Sequence, residues 1–174
     1  LIVLGNQYFN NQILKEITME MTEKTFDQTK PVNEKEKQEL VDFLYEHLDE
    51  YGDKKEHIAR CIDYAMSSNP MAGGFVVEMR EKDKIVGALV MNSTGMSGYI
   101  PENILVYIAV DSAYRGKGVG RRIMERSMKL AKGDVALHVE HDNPANFLYK
   151  NMGFENPYLE MRFYREGKPE RTDN

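Results

Sequence analysis

Arg115-Gly116-Lys117-Gly118-Val119-Gly120 combines three alternating glycines with cationic side chains, directly after an apolar run and before an amphipathic one. Glycine lets a backbone approach a ligand closely. A helix starting there presents unpaired N–H groups and the positive end of its dipole. That combination suits a phosphate or pyrophosphate. Arg121 and Arg122 add charge. From Asp111 to Lys132 there are seven basic residues against two acidic ones, a local net charge of +5, although the whole chain carries -5. The remainder therefore carries -10, and the basic island is of the kind a compact polyanion requires. The spacing excludes two familiar phosphate loops. G-x-x-x-x-G-K-S/T is absent, and G-x-G-x-G is not the dinucleotide fingerprint G-x-G-x-x-G.

The elements around this loop follow from periodicity. Ile104 to Val110 is seven apolar residues in a row, which predicts a central strand buried on both faces. A helix is predicted from about Gly118 to Lys132, with Val119, Ile123, Met124 and Leu130 inward and Gly133 as its stop. Val135 to Val139 reads as the next strand, completing a right-handed parallel crossover. Upstream, Glu16–Thr25 alternates weakly as a first strand. Leu40, Val41, Phe43, Leu44 and Leu48 mark an amphipathic helix closed near Tyr51-Gly52. Asp53 and Glu56 have capping-box spacing at the start of another helix, which carries Ile58, Ile62 and Cys61. Phe75–Arg80 and Ile85–Met91 form a predicted hairpin about a polar turn. Asn143-Pro144 has the signature of a helix start, with Gly153 ending that helix. Tyr158–Tyr164 reads as the last strand and offers a route to a homodimer, and a polar tail occupies 166–174.

Two separated blocks place the chain beside a known family. Arg115 to Gly120 fits Q/R-x-x-G-x-G/A, and Asn143-Pro144-Ala145-Asn146-Phe147-Leu148-Tyr149-Lys150-Asn151-Met152-Gly153-Phe154 resembles N-x-x-A-x-x-L-Y-x-x-x-G-F. Both resemble the GNAT superfamily of acyl-CoA-dependent N-acetyltransferases, in the right order. The resemblance implies an α/β fold with a mixed, mostly antiparallel central sheet, a β-α-β crossover at the acyl-CoA site and helices on both faces. It also implies acetyl-CoA as co-substrate and a primary amine as acceptor, with no metal. The backbone of Ile108, Ala109 and Val110 would pair with the pantetheine arm. Arg115, Gly116, Lys117, Gly118, Val119, Gly120 and Arg121 would hold the pyrophosphate. A backbone N–H near Val110 would stabilise the oxyanion. Tyr149 would protonate the leaving thiolate as general acid. One departure stands out: alignment on Ala145, Leu148 and Tyr149 puts Asp142 where the family has asparagine. Asn143 and Asn146 are then alternative cofactor contacts.

An aliphatic amine must lose a proton before it attacks, and Glu102 and Glu140 are the candidate bases, directly or through water. Tyr99 and Tyr107 are candidates for the acceptor pocket. His138-Val139-Glu140 copies half of a zinc deaminase motif, but P-C-x-x-C is missing and the metal reading fails. Short loops favour a small-molecule amine. A protein N-terminus or lysine, or a non-catalytic acyl-CoA-binding module, are the alternatives.

The whole composition frames this reading. The chain has 174 residues, 41% hydrophobic and 29% charged, which suits one compact domain at 19–165. Net acidity argues against a nucleic-acid partner. The single cysteine, Cys61, cannot form an internal disulfide or a multi-cysteine metal site. No window approaches the roughly 18–20 consecutive apolar residues of a bilayer span. Leu1-Ile2-Val3-Leu4 is too short for a signal core and lacks a basic leader. A cytoplasmic location without membrane contact is the expectation. With leucine first and Met19 and Met21 as internal candidates for initiation, residues 1–18 read as an extension outside the fold.

Overall fold

The computed structural model describes residues 21–165 and 167. The expected extension at 1–18 and nearly all of the tail at 166–174 lie outside the described residues. Strands β1 (Met21–Phe26), β2 (Gly74–Glu81), β3 (Lys84–Ser93), β4 (Asn103–Val110) and β5 (Val135–Leu137) form one sheet in sequential order. The first four are mutually antiparallel, and β5 runs parallel to β4. Helices α1 (Glu34–His47) and α2 (Lys55–Ala65) cover one face. Helices α3 (Val119–Leu130) and α4 (Asn146–Asn151) cover the other. The mostly antiparallel sheet with one crossover and helices on both faces is the expected architecture.

Each face has its own core. Leu40, Leu44, Ile58 and Ile62 recur at helical spacing and pack on Val76, Ala88 and Val90. On the opposite side Ile123 and Met124 pack on Val77, Leu89 and Met91. Gly87 lets α3 settle closely on β3: a Cβ there would lie 2.5 Å from Ile123 Cδ1 and 2.9 Å from Val119 Cγ1.

Several expectations change in the structure. The capping box stands at α1, where Asn33 Oδ1 accepts from Glu36 N–H at 2.9 Å and Glu36 Oε2 accepts from Asn33 N–H at 3.0 Å. At α2 the cap is Lys54 with no side-chain bond, because Asp53 is engaged by the Tyr107 hydroxyl at 2.7 Å. Helix α4 starts at Asn146 rather than Asn143, since Asn143 Oδ1 accepts from Ala145 N–H at 2.8 Å and folds residues 143–145 into a turn. β4 is not buried uniformly on both faces. Its residues alternate between buried and half-buried, because one flank opens onto a cleft. β5 stops at Leu137 instead of Val139. Residues 158–164 are not a strand, and no edge among the described residues pairs with them.

Candidate active site

β4 is paired on both sides only at its start. Asn103, Ile104 and Leu105 face Val135, Ala136 and Leu137, and the two strands then separate. The start is fastened by side chains. Asn103 Nδ2 donates to the carbonyls of Lys132 at 2.8 Å and Asp134 at 3.2 Å, and Glu102 Oε2 accepts from Asp134 N–H at 2.8 Å. Beyond that point β4 pairs only with β3.

A bulge sits where the separation begins. Val90 faces Tyr107 but Met91 faces Leu105, which leaves Val106 as the extra residue. Leu105, Ile108 and Val110 contribute to the core under α3. Tyr107 and Ala109 contribute to the core under α1 and α2. Asp111 N–H donates to the Val86 carbonyl, so strand alternation turns the polar backbone groups of Ile108 and Val110 toward the open flank.

The open flank is a cleft of about 580 Å³. The second half of β4 forms its floor, the glycine loop one end, and the β5–α4 connection the far wall. Gly116 and Gly118 adopt φ of 75° and 84°, a region that favours glycine, and a Cβ on either would meet nothing within 4 Å. The space before them is open to a ligand. Arg122 N–H makes the first helical bond, to the Gly118 carbonyl, and no side chain caps α3. The N–H groups of Val119, Gly120 and Arg121 thus lack helical acceptors. This is an anion cradle of the kind a diphosphate fits.

Of the expected cofactor contacts, Ile108, Ala109, Val110, Arg115, Gly116 and Gly118 line this cleft, as do Val119, Gly120, Arg121 and Asn143. Lys117 and Asn146 do not. Lys117 Nζ lies over the Tyr114 ring, 5.2 Å from its centre. Asn146 Nδ2 donates to the Glu140 carbonyl at 2.7 Å and the Asn143 carbonyl at 3.1 Å, so it shapes the loop. Between the two asparagines, only Asn143 faces the cleft. Arg115 works as a brace: Nε donates to the Val110 carbonyl at 3.1 Å, and the guanidinium reaches Asp49 Oδ2 at 3.0 Å.

Tyr149 lines the cleft and is 7% exposed. Burial pushes its phenol up to about 12, so it is protonated at neutral pH. The candidate bases stand apart from it. Glu102 is at the fastened start of β4 and does not line the cleft. Backbone N–H donation, chiefly from Asp134, holds its carboxyl below the ordinary value, which weakens it as a base. Glu140 is exposed, and its carbonyl accepts from Asn143 N–H and Asn146 Nδ2. Its residue does not line the cleft. Tyr107 lines the cleft, whereas Tyr99 is 80% exposed and does not.

Some wall residues escaped the sequence reading. His47 and Tyr51 come from the end of α1 and the turn after it, and the Tyr51 hydroxyl donates to the Asp142 carbonyl at 3.5 Å. The signal available for them was position alone: both flank the predicted helix end near Gly52. Among the described residues no group of three or more His, Cys, Asp or Glu side chains is placed to hold a metal ion. No helix among them is long and apolar enough to cross a membrane.

The sheet thus parts beside a bulge, with a glycine-opened helix at the gap. Residues 72–156, just under half of the chain, match the family model for the GNAT acetyltransferase domain. The N-alpha-acetyltransferase RimI of Mycobacterium tuberculosis is 43% identical over 60 residues, which cover 33% of this chain and 38% of that protein. The match thus spans well under two thirds of the relative. Among solved structures, a GNAT family protein of Streptococcus pneumoniae superposes with TM-score 0.59 at 16% identity, over 84% of this chain and 99% of that one. An aminoglycoside N-acetyltransferase in complex with CoA superposes with TM-score 0.61 at 12% identity, over 86% and 98%. These two likenesses show a shared fold.

Proposed function

We propose that the protein transfers an acetyl group from acetyl-CoA to a primary amine, by direct attack of the neutral amine on the thioester. The observation that carries this reading is the open flank of β4 ending at the uncapped, glycine-led start of α3. The backbone groups of Ile108 and the N–H of Val110, turned to the open flank, suit the amide-bearing arm of the co-substrate, which would add to β4 as a short strand. The N–H groups of Val119, Gly120 and Arg121 suit its pyrophosphate. Acetyl-CoA supplies the activated acetyl group, and the protein supplies position and polarity. The backbone N–H of Val110 is the proposed donor to the carbonyl oxygen as negative charge develops there.

Tyr149 is the proposed donor to the departing sulfur. Its phenol, held at about 12, is neutral at pH 7, as a donor must be. It is a weaker acid than an ordinary thiol, whose pKa is about 8.5. Its contribution therefore begins as a hydrogen bond to the developing thiolate. Proton transfer to sulfur is completed by the proton that the attacking nitrogen sheds as the amide forms. Neither Glu102 nor Glu140 is retained as a direct base, since neither lines the cleft. The cytoplasm is the proposed compartment, and 19–165 the proposed domain.

A small-molecule amine is the first choice of acceptor. The Tyr51–Asp142 contact joins the two walls of the cleft and limits what can enter beside β4. A protein N-terminus is the second reading, favoured by the relative whose name describes N-alpha-acetylation. Calorimetry with acetyl-CoA and a thiol-release assay across amine and peptide panels test both. Binding with turnover on small amines supports the first choice, and turnover on peptides alone supports the second. Binding without turnover on either panel would leave an acyl-CoA-binding module, and absence of binding would refute the cleft assignment.

A further inference from the structure

A primary amine arrives as an ammonium and must lose a proton before its nitrogen can attack, yet neither Glu102 nor Glu140 lines the cleft. Beside the open half of β4, a buried hydroxyl is linked to a carboxylate that stands in solvent. Tyr107 lines the cleft and is 7% exposed. It sits between Val106, the unmatched residue of the bulge, and Ile108, whose backbone is the proposed partner of the co-substrate's arm. Its side chain packs in the core under α1 and α2, and its hydroxyl donates to Asp53 Oδ2 at 2.7 Å. The Asp53 side chain is 55% exposed, and its other oxygen, Oδ1, lies 3.9 Å from His57 Nδ1. One hydrogen bond therefore joins a cleft-lining residue to a carboxylate in bulk water.

Asp53 makes this bond at the expense of a local one. It has capping-box spacing to Glu56, but α2 is left capped by Lys54 without a side-chain bond. Burial, and then the Asp53 carboxylate beside it, push the Tyr107 phenol well above its ordinary value. The hydroxyl therefore keeps a proton and cannot serve as a base by losing it beforehand. It can still pass one on, because a hydroxyl oxygen accepts one hydrogen while donating another. Cys61 and His57 of α2 are the other titratable groups beside the pair, and His47 and Asp49 line the cleft from the end of α1 and the turn after it. Burial pushes the Cys61 thiol up to about 12, so it takes no part at neutral pH.

We propose that Tyr107 and Asp53 form the proton exit for the acceptor amine, with Tyr107 touching the nitrogen and Asp53 acting through it. This rests on the acetyl-transfer reading of the same cleft. An ammonium N–H bond breaks as the Tyr107 oxygen takes that hydrogen. In the same step the Tyr107 O–H bond breaks as Asp53 Oδ2 takes the other hydrogen, and the lone pair left on nitrogen becomes the nucleophile. Tyr107 is neutral before and after, and Asp53 hands the proton to the water it faces. Tyr107 belongs to the core under α1 and α2, whereas Tyr149 belongs to the core on the other face. The first proton thus leaves on one side of β4, and the second, shed as the amide forms, goes to the sulfur beside Tyr149 on the other.

The test uses the full chain, acetyl-CoA and the primary aliphatic amine of the panel that turns over fastest, with steady-state rates at about pH 7 and about pH 10. Circular dichroism checks folding, and calorimetry checks acetyl-CoA binding. Asp53→Asn keeps an oxygen for the Tyr107 hydroxyl but removes the basic carboxylate. Tyr107→Phe keeps the ring and removes the hydroxyl. Each should lower kcat/KM by about tenfold or more at neutral pH while binding acetyl-CoA within about twofold of wild type. Both deficits should shrink to about threefold or less at the higher pH, where much of an aliphatic amine is neutral without help. Tyr149, held at about 12, is still protonated there. Asp53→Glu should recover much of the rate that Asp53→Asn loses. Either of the two main variants carries the test if the other fails to fold. An active wild type with Asp53→Asn or Tyr107→Phe unchanged would overturn the exit alone. So would losses of equal size at both pH values, the mark of a packing role. A wild type that binds acetyl-CoA but acetylates no amine would overturn the transfer reading, and the exit with it.

Discussion

The two halves of β4 share one strand, one neighbour in β3 and nearly the same apolar composition, yet they serve opposite ends. From Asn103 to Leu105 every edge is occupied, and Asn103 and Glu102 tie the strand to the turn before β5. From Val106 to Val110 one edge is vacant, and Arg115 braces its far end through the Val110 carbonyl. The difference arises at Val106, the residue that β3 does not match. A strand can thus be locked and open at once, provided that the locked half holds β5 while the bulge turns the other half aside.

The sharpest way to break this comparison lies on the open side. Tyr149→Phe should lower kcat by about 100-fold or more while leaving acetyl-CoA binding nearly intact; wild-type turnover in a steady-state assay would remove Tyr149 from the chemistry. Gly118→Ala should weaken acetyl-CoA about tenfold by calorimetry, since a Cβ enters the open space and the left-handed backbone is strained. On the locked side, Asn103→Ala should cost about 1 kcal/mol in urea unfolding, because the Lys132 carbonyl loses a donor.

Alkaline titration probes the buried phenol itself. Tyr149 has its folded value raised from 10.0 to about 12, so its contribution to stability is complete below pH 10 and is lost as pH rises toward 12. Tyr149→Phe should therefore show a shallower loss of stability over that interval in thermal melts. The smallest effect belongs to Glu102→Gln, whose turnover should stay within about twofold of wild type, as the side chain serves the fastened end. A large loss there would join the two halves functionally and undo the contrast.

The sequence was most informative where chemistry and backbone geometry coincide. Gly116 and Gly118 marked a loop that a ligand can approach closely, and a Cβ on either would meet nothing within 4 Å. The helix faces of Leu40, Leu44, Ile58 and Ile62 were readable from spacing alone. The bulge at Val106 was not, because a run of branched and aromatic residues looks the same whether or not one is left unmatched. Asp53 shows another limit. Its spacing to Glu56 satisfied a local rule, but the Tyr107 hydroxyl, 54 residues away in sequence, competes for the same carboxylate. Tyr158–Tyr164 carries strand periodicity but pairs with no strand among the described residues, since alternation specifies which faces match and not whether a neighbouring edge is at hand.

Gly87 has a consequence for how this cleft could change. It does not line the cleft, but it lies on the neighbouring strand opposite Val110 and beneath Val119 of α3, two residues that do. Because it lacks a side chain, the first turn of α3 rests almost on the sheet, and the height of the N–H cradle above β4 is set by that contact. A single methyl group at Gly87 would act as a shim under the helix. It would press on Ile123 and Val119 and so raise the cradle, without placing a new side chain in the cleft. The dimension that decides how long a co-substrate the cleft can hold is therefore adjustable from behind the sheet, out of reach of the ligand it would accommodate.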